Sequence, residues 1–498
     1  MPGPSAKIEP PVKPAAHSAR RRWISLAALL AGTVVLIWAG AGWRARVASA
    51  QIRSLAVLPF GDLTQRNEDW LAPGFAGEII DHLAAVPGMQ VVGRTSALKI
   101  RGDDVKQLGV AATLEGSIAQ SGDRLHIALA MTRIADGYRL WSASFDRPAN
   151  DLQSAIEDVA AAVTHRLQLK APATRHDQPA PQAYAAYLQG RYLFDRATPE
   201  ALNRAQEQLE QATAADPNFV PAWAWLSIVR EYRVAAGMAR PNRLMPASRD
   251  AAERAVALDP DSGIAHLALG IVKLQYDWDW AGAKEELDRA VKAFPESAFA
   301  LDWLGRWFQS QGRMTEAIAQ TERAMALDPL SPAIASDVAA QYVSLKQLAR
   351  AIPFAQKAVD LSPNDPAARA ALANVLWLAG ENEKSRQILE ELRSSGAAAK
   401  LPATQLASLE ARMGDPQDAR QLLNAAEDLP DDQLLPAVEY ARLAAVIEDW
   451  DRLFSWTEEA FGERDVALPY WPGSLLVPKS DPRFDAFLAQ MNLPAEAH

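Results

Sequence analysis

The chain has 498 residues, 49% of them apolar, and no cysteine, so it can bury several packed domains while disulfides, thiol catalysis and zinc–thiolate sites are excluded. A net charge of −10 opposes a phosphate-binding surface, which needs clustered Lys and Arg, so no nucleic-acid partner is expected.

Residues 1–22 carry Pro2, Pro4, Pro10, Pro11 and Pro14 among scattered charges and read as a disordered tail. Trp23 to Trp43 holds no charged residue. As a helix rising ~1.5 Å per residue it would match a bilayer core of ~30 Å. Arg20, Arg21 and Arg22 precede it, and Trp23 and Trp43 stand where interfacial aromatics belong. The expectation is a single-pass anchor at 23–43 with the tail in the cytoplasm and the later domains in the periplasm. Arg44, Arg46 and Arg53 oppose that orientation. A rival reading is a signal peptide cut near Ala50, since Ala48-Ser49-Ala50 has the small-x-small form.

A compact α/β domain is predicted over 52–170. Ile52–Phe60 reads as a mostly buried strand closed by Pro59 and Gly61. Phe75, Ile79, Ile80, Leu83 and Val86 recur at helical spacing until Pro87-Gly88. Met89–Val92 forms a second short strand, and Asp103-Asp104 starts a short helix reaching Leu108. Ala112–Ala119, Arg124–Ile134 and Tyr138–Phe145 then make an antiparallel meander, because Ser121-Gly122-Asp123 and Ala135-Asp136-Gly137 are turn tripeptides. Leu152, Ile156, Val159, Val163 and Leu167 mark a closing helix, and three prolines make 171–181 a linker.

From residue 182 to 461 the pattern is helical, and its centre repeats. Gly305 recurs as Ala339, Ala317 as Ala351, Ala324 as Ala358 and Pro329 as Pro363, each 34 positions on; Ala283, Ala290 and Pro295 precede the series by the same step. A 34-residue helix–turn–helix period is that of tetratricopeptide repeats, which stack into a protein-binding superhelix. Weaker repeats flank it, one around Gly190, Ala205, Ala212 and Pro217, another widened by a loop at Met238–Pro246. About seven or eight helix pairs are expected, with 462–498 as a cap ending in Asp481-Pro482-Arg483-Phe484.

No catalytic constellation emerges. The seven histidines include no pair at i,i+4, and no Gly-x-Ser-x-Gly elbow or phosphate loop occurs, so neither metal nor cofactor is expected. Asp277 and Asp279 alternate with Trp278 and Trp280 in an interhelical turn, a structural pattern rather than a carboxylate pair. First-helix positions two, five, nine and twelve should line the solenoid's groove: Phe299, Asp302, Arg306 and Gln309 in one repeat, Asn374 and Trp377 two repeats later. Arg306 with Trp377 would clamp an extended, largely apolar peptide; alternatively Asp302 and Arg306, at i,i+4, form a surface ion pair.

The strand Leu55–Phe60, with Gly74, Ile79-Ile80, Val91-Val92-Gly93-Arg94-Thr95-Ser96, Leu114-Glu115-Gly116-Ser117 and Leu140-Trp141-Ser142, resembles the TolB-amino-terminal or FlgO-like domain. Tyr276-Asp277-Trp278-Asp279-Trp280 and the Asp-Pro-Arg-Phe ending are similar to the larger bacterial architecture that places this domain between one membrane helix and tetratricopeptide repeats. Members of that group, CadC-like or cyclase-linked, carry a DNA-binding or cyclase domain before the membrane helix; 22 residues cannot fold either. The resemblance therefore implies a non-catalytic inner-membrane protein that holds a protein or peptide partner, as scaffold or sensor. The alternative is a regulator that passes a periplasmic signal to a cytoplasmic partner.

Overall fold

The computed structural model describes residues 52–64, 69–100, 105–106, 108–170, 178–429, 435–473 and 478–493. The expected anchor at 23–43 and most of the linker lie outside them; among the described residues no helix is long and apolar enough to cross a membrane.

The sheet domain orders its elements as β1 (Ser54–Val57), β2 (Gly61–Asp62), α1 (Leu71–Ala84), β3 (Gln90–Val91), α2 (Arg94–Lys99), β4 (Ala112–Ser121), β5 (Arg124–Arg133), β6 (Arg139–Pro148) and α3 (Leu152–Arg166). Sheet order is β3-β1-β4-β5-β6, with β2 beside β4. β1 runs parallel to β3 and β4, while β4, β5 and β6 form the expected antiparallel meander, so the sheet is mixed. Alternation along β5 buries Leu125, Ile127, Leu129 and Met131 and leaves His126 and Ala128 exposed, the signature of a sheet covered on one face. The helical stripe predicted for α1 is buried throughout. Two elements differ: β2 forms at Gly61–Asp62, where the chain reads as the close of the first strand, and α2 forms at Arg94–Lys99, while the short helix expected from Asp103 falls mostly outside the described residues.

The repeats follow as antiparallel helix pairs: α4/α5 (Pro181–Phe194, Pro199–Ala215), α6/α7 (Val220–Ala235, Pro241–Leu258), α8/α9 (Gly263–Val272, Trp280–Ala293), α10/α11 (Ala298–Ser310, Met314–Leu327), α12/α13 (Pro332–Ser344, Leu348–Leu361), α14/α15 (Pro366–Leu378, Asn382–Ser394), α16/α17 (Ala403–Arg412, Gln417–Ala426) and α18/α19 (Ala437–Val446, Trp450–Glu463). Ser262, Ser297, Ser331 and Asp365 cap four successive first helices through side-chain oxygens that accept backbone N–H groups. The small residue of the first helix permits close approach: a Cβ on Gly305 would lie 2.3 Å from Thr321 Oγ1. The loop expected at Met238–Pro246 is shorter than predicted. Helix α7 begins at Pro241 and contains Pro246, whose lost backbone bond is offset by burial of Met245, Ser248, Ala251, Ala252 and Ala255.

Around Trp278 the predicted structural turn is present. Lys273–Asp277 continues α8 as one π turn, Trp278 adopts φ 56°, and Asp279 caps α9 by accepting from Gly282 N at 2.9 Å. The terminal cap comprises a 3₁₀ segment at Leu468–Gly473 and helix α20 at Pro482–Gln490. It covers the last pair, as expected, and together with α19 it returns to the second and third repeats. Trp280 Nε1 donates to the Met491 carbonyl at 2.8 Å, Trp278 lies 4.9 Å from the Phe461 ring, and Arg240 pairs with Glu463 at 2.8 Å. The end of the solenoid is thus fastened to its middle.

A second fastening joins the sheet domain to two distant repeats. Arg94 Nε donates to Asp195 at 2.7 Å and Nη1 to Asp81 at 3.2 Å, while Arg191 of α4 reaches Glu78 at 3.1 Å and Asp81 at 2.8 Å. A Cβ on Gly77 would meet the Arg94 guanidinium at 2.2 Å, so only glycine admits that side chain without displacing it. Ser96 N donates to Asp328 at 2.7 Å, and Gly93 N to the Leu327 carbonyl at 2.7 Å. The segment Gly93-Arg94-Thr95-Ser96, singled out from sequence, is this docking loop.

Candidate functional site

The first helices of successive repeats stand side by side along the inner wall of the solenoid, and between α4 and α12 they assemble two adjoining layers. One is aromatic. Phe194 packs on Trp225 (5.2 Å between centroids) and Tyr232 (4.8 Å), Trp225 stacks on Phe299 (5.7 Å, 17° between planes), and Tyr232 and Phe299 lie 6.3 and 6.5 Å from Trp303. The Arg191 guanidinium, anchored to α1, sits 3.7 Å over Trp225, which ties the wall to the sheet domain.

The other layer is polar and deeply buried. Glu231 (1% exposed) accepts from Gln275 (2% exposed) at 3.2 Å through Oε1. Arg306 donates to Asp302 (3% exposed) at 3.2 Å and to Asp337 at 2.6 Å, with its guanidinium 4.6 Å over the Trp303 ring. Tyr470, from the terminal 3₁₀ segment, enters the same electrostatic environment as Glu231, Asp302, Arg306 and Asp337. Glu231 Oε2, Gln275 Oε1, Asp302 Oδ1, Trp303 Nε1 and the Tyr470 hydroxyl have no hydrogen-bond partner among the described residues.

Burial dominates the titration of this layer. It pushes Glu231 up to about 7, opposed by Arg306 and the Gln275 bond. It pushes Asp302 up to about 8, reinforced by the neighbouring Asp337 carboxylate and opposed by Arg306. The Tyr232 and Tyr470 hydroxyls are raised by the same desolvation.

Three of the residues proposed from sequence, Phe299, Asp302 and Arg306, meet here, and the i,i+4 ion pair of Asp302 and Arg306 forms, but inside the protein and not on its surface. Gln309, one turn further along α10, accepts from Gln341 at 3.4 Å. Trp377 belongs to a separate junction, where its Nε1 donates to the Arg412 carbonyl at 2.9 Å and the Arg412 guanidinium lies 5.2 Å from its ring, while Asn374 Oδ1, one turn earlier on α14, is buried without a hydrogen-bond partner among the described residues. The Arg306–Trp377 clamp is therefore replaced by two independent engagements, because Asp302 and Asp337 hold Arg306. Glu231, Gln275, Trp303, Asp337 and Tyr470 escaped the sequence reading. A visible signal existed for the first two, acid and amide interrupting apolar helix stretches; Tyr470 gave none, since only the chain's return brings it here.

Among the described residues no group of three His, Asp, Glu or Cys side chains is placed to hold a metal. A surface cleft of about 550 Å³ between α17, α19 and α20 is lined by Arg420, Arg452 and Arg483. Two of these arginines are already paired, Arg452 with Glu427 at 2.9 Å and Arg483 with Asp451 at 2.8 Å.

Tetratricopeptide-repeat family models match residues 278–332 and 342–403, so the chain carries tetratricopeptide repeats. It is 28% identical over 189 residues to "Putative adenylate cyclase 3" of Rhizobium meliloti (strain 1021), a match over 35% of this chain and 32% of that protein. The chain thus spans about a third of the length of that curated relative. Solved structures to which the chain shows similarity include a monomeric mutant of IFIT1 with m7Gppp-AAAA (15% identity, 66% of this chain, 77% of that chain, TM-score 0.45). Others are a thermophilic tetratricopeptide-repeat protein of Thermus thermophilus (21%, 39%, 98%, 0.33) and pilF of Pseudomonas aeruginosa (23%, 52%, 97%, 0.29).

Proposed function

We propose that this chain is a non-catalytic binding protein, anchored in a bacterial inner membrane by residues 23–43, whose tetratricopeptide solenoid holds a protein partner in the cell envelope. The observation that carries the reading is the inner wall. It combines a run of aromatic faces with buried polar atoms that have no partner among the described residues, and such surfaces favour a specific ligand over bare solvent. The sheet domain, read as TolB-amino-terminal/FlgO-like from its motifs, serves here as a brace that fixes the first repeat against the fourth. Crosslinking in intact membranes followed by purification of the full chain tests the proposal. Reproducible envelope proteins are expected, and their loss on Phe299→Ala would assign them to the wall. Recovery of the same proteins by a chain lacking residues 182–461 would sink it.

A second reading has one observation behind it, the relative named as an adenylate cyclase. On that view the chain is the sensing half of a signalling system whose catalytic partner is a separate cytoplasmic protein. An alkaline-phosphatase fusion after residue 170 separates compartments: activity supports periplasmic domains, and inactivity confines both domains to the cytoplasm.

A further inference from the structure

We propose that the polar layer of the inner wall is a recognition site for an organic cation, an ammonium or guanidinium on an apolar stem, carried by a lysine or arginine side chain of the partner. This rests on the binding-protein reading and gives the partner a chemistry.

Three of the five unpartnered atoms at the layer are carboxyl or amide oxygens, Glu231 Oε2, Gln275 Oε1 and Asp302 Oδ1, on side chains from three different elements; the other two are Trp303 Nε1 and the Tyr470 hydroxyl. When Glu231 and Asp302 are ionised, their free oxygens are buried acceptors without a donor, a state that costs about 1–3 kcal/mol per group and that added N–H groups would relieve. An anion would supply none, and a guanidinium supplies up to five. Charge points the same way. Among the described residues, Glu231, Asp302 and Asp337 face the single guanidinium of Arg306, which Asp302 and Asp337 already occupy; the remaining groups at the layer, Gln275, Tyr232 and Tyr470, are neutral. Arg306 offsets Glu231 only through space, since the described hydrogen-bond partner of Glu231 is the Gln275 amide.

Apolar surface for the stem lies alongside. The half-buried rings of Tyr232 and Phe299 lie 6.3 Å apart beside the buried Trp303, whose face Arg306 already covers, and aromatic faces attract cations within ~6 Å. The layer is reached from solvent past Arg306 and Asp337, whose side chains are each 21% exposed. A metal ion fits poorly, since no three-ligand group exists among the described residues. Binding a cation favours ionised Glu231 and Asp302, both of which burial holds protonated near neutral pH, so protons leave as the ligand arrives.

The test is calorimetric titration of the purified full chain with agmatine and, separately, with the blocked peptide Ala-Ala-Arg-Ala-Ala at about pH 6 and pH 8. Both probes should bind, more tightly at the higher pH, with a heat that depends on buffer ionisation because protons are released. Glu231→Gln with Asp302→Asn should weaken binding at least about tenfold, as expected when charge-assisted hydrogen bonds are lost. These neutral isosteres should leave the melting temperature at pH 8 unchanged or higher, so the loss cannot be assigned to unfolding. Agmatine binding without peptide binding keeps the site and assigns its cation to a free amine. Absence of binding by both probes, or equal binding by wild type and double variant, overturns the proposal and leaves the oxygens to water. If the double variant still recovers the crosslinked partners, the cation site fails while the partner-binding reading stands.

Discussion

The amide of Ser96 donates to Asp328 Oδ1 at 2.7 Å across 232 residues of chain, and the Ser96 hydroxyl serves both Asp328 and the amide of Leu330. A buried carboxylate at the exit of the fourth repeat thus organises the docking loop of the sheet domain. Burial raises its pKa against the pull of the Ser96 and Thr95 bonds. Asp328→Ala orphans these donors and should cost about 2–3 kcal/mol. Hydrogen exchange should quicken at 90–99 while the interior of β5 keeps its protection; unchanged exchange at 90–99 would mean the joint is held elsewhere.

Glu78, 6% exposed, sits between Arg191, 3.1 Å away, and the Tyr187 hydroxyl at 3.2 Å. Removing one member of a buried pair leaves the other charge uncompensated, so Arg191→Met should destabilise by about 3–5 kcal/mol in urea denaturation. The companion change Glu78→Gln should restore most of that loss. Additive losses would instead show that the two side chains do not depend on each other.

Stability should fall as pH rises from about 4 to 8. Glu231, Asp302 and Asp465 have folded-state pKa values raised to about 7, 8 and 6, each chiefly by burial, so the folded chain holds protons that the unfolded chain has released. Their contribution is complete below the ordinary carboxylate range and is lost as pH climbs through the folded values. Glu231 alone, moving from 4.5 to about 7, is worth on the order of 3 kcal/mol. Denaturant midpoints measured across this range should decline, and Glu231→Gln should flatten the decline. A midpoint that rises over the same interval contradicts the burial argument.

Gly305→Ala is expected to destabilise although alanine is the better helix former. The added Cβ meets Thr321 Oγ1 at 2.3 Å, and that hydroxyl is engaged by the Ala317 carbonyl at 3.0 Å and Gln341 at 2.9 Å. Overpacking costs about 1–3 kcal/mol against a propensity gain of ~1. The next repeat carries Ala339 at the equivalent position because Ala355 replaces Thr321 there. Thr321→Ala should therefore partly rescue Gly305→Ala in thermal unfolding, and a purely additive double variant would refute the contact.

Ending the chain at residue 460 removes Phe461, Met491 and the cap that holds Trp278 and Trp280. Tryptophan emission should shift to the red and the midpoint of unfolding should drop. Preserved emission would show that the closure contributes little.

Local rules made much of this architecture legible. The apolar stripe of α1, the turns at Gly122 and Gly137, and the 34-residue step of Gly305 and Ala339 each reflect a period or a backbone need that neighbouring residues express. The capping residues Ser297, Ser331 and Asp365 carried the same step. What stayed hidden depends on non-local return of the chain. Phe299 and Arg306 were placed on the inner wall by repeat position, yet nothing near them in sequence announces Glu231, Asp337 or Tyr470. Trp377 was drawn into the same groove by that same positional rule, and superhelical advance carried it to Arg412 instead. The docking loop was legible as a motif and illegible as a joint, since its partner lies four repeats away.

The position of Asp328 also sets a timetable for synthesis. A ribosome adding ~5–20 residues per second would need on the order of 10–50 s to travel the 232 residues from Ser96 to its acceptor. Through that interval the docking loop emerges with Ser96 and Gly93 open to solvent or to other proteins. The fourth repeat is the point at which that exposure ends.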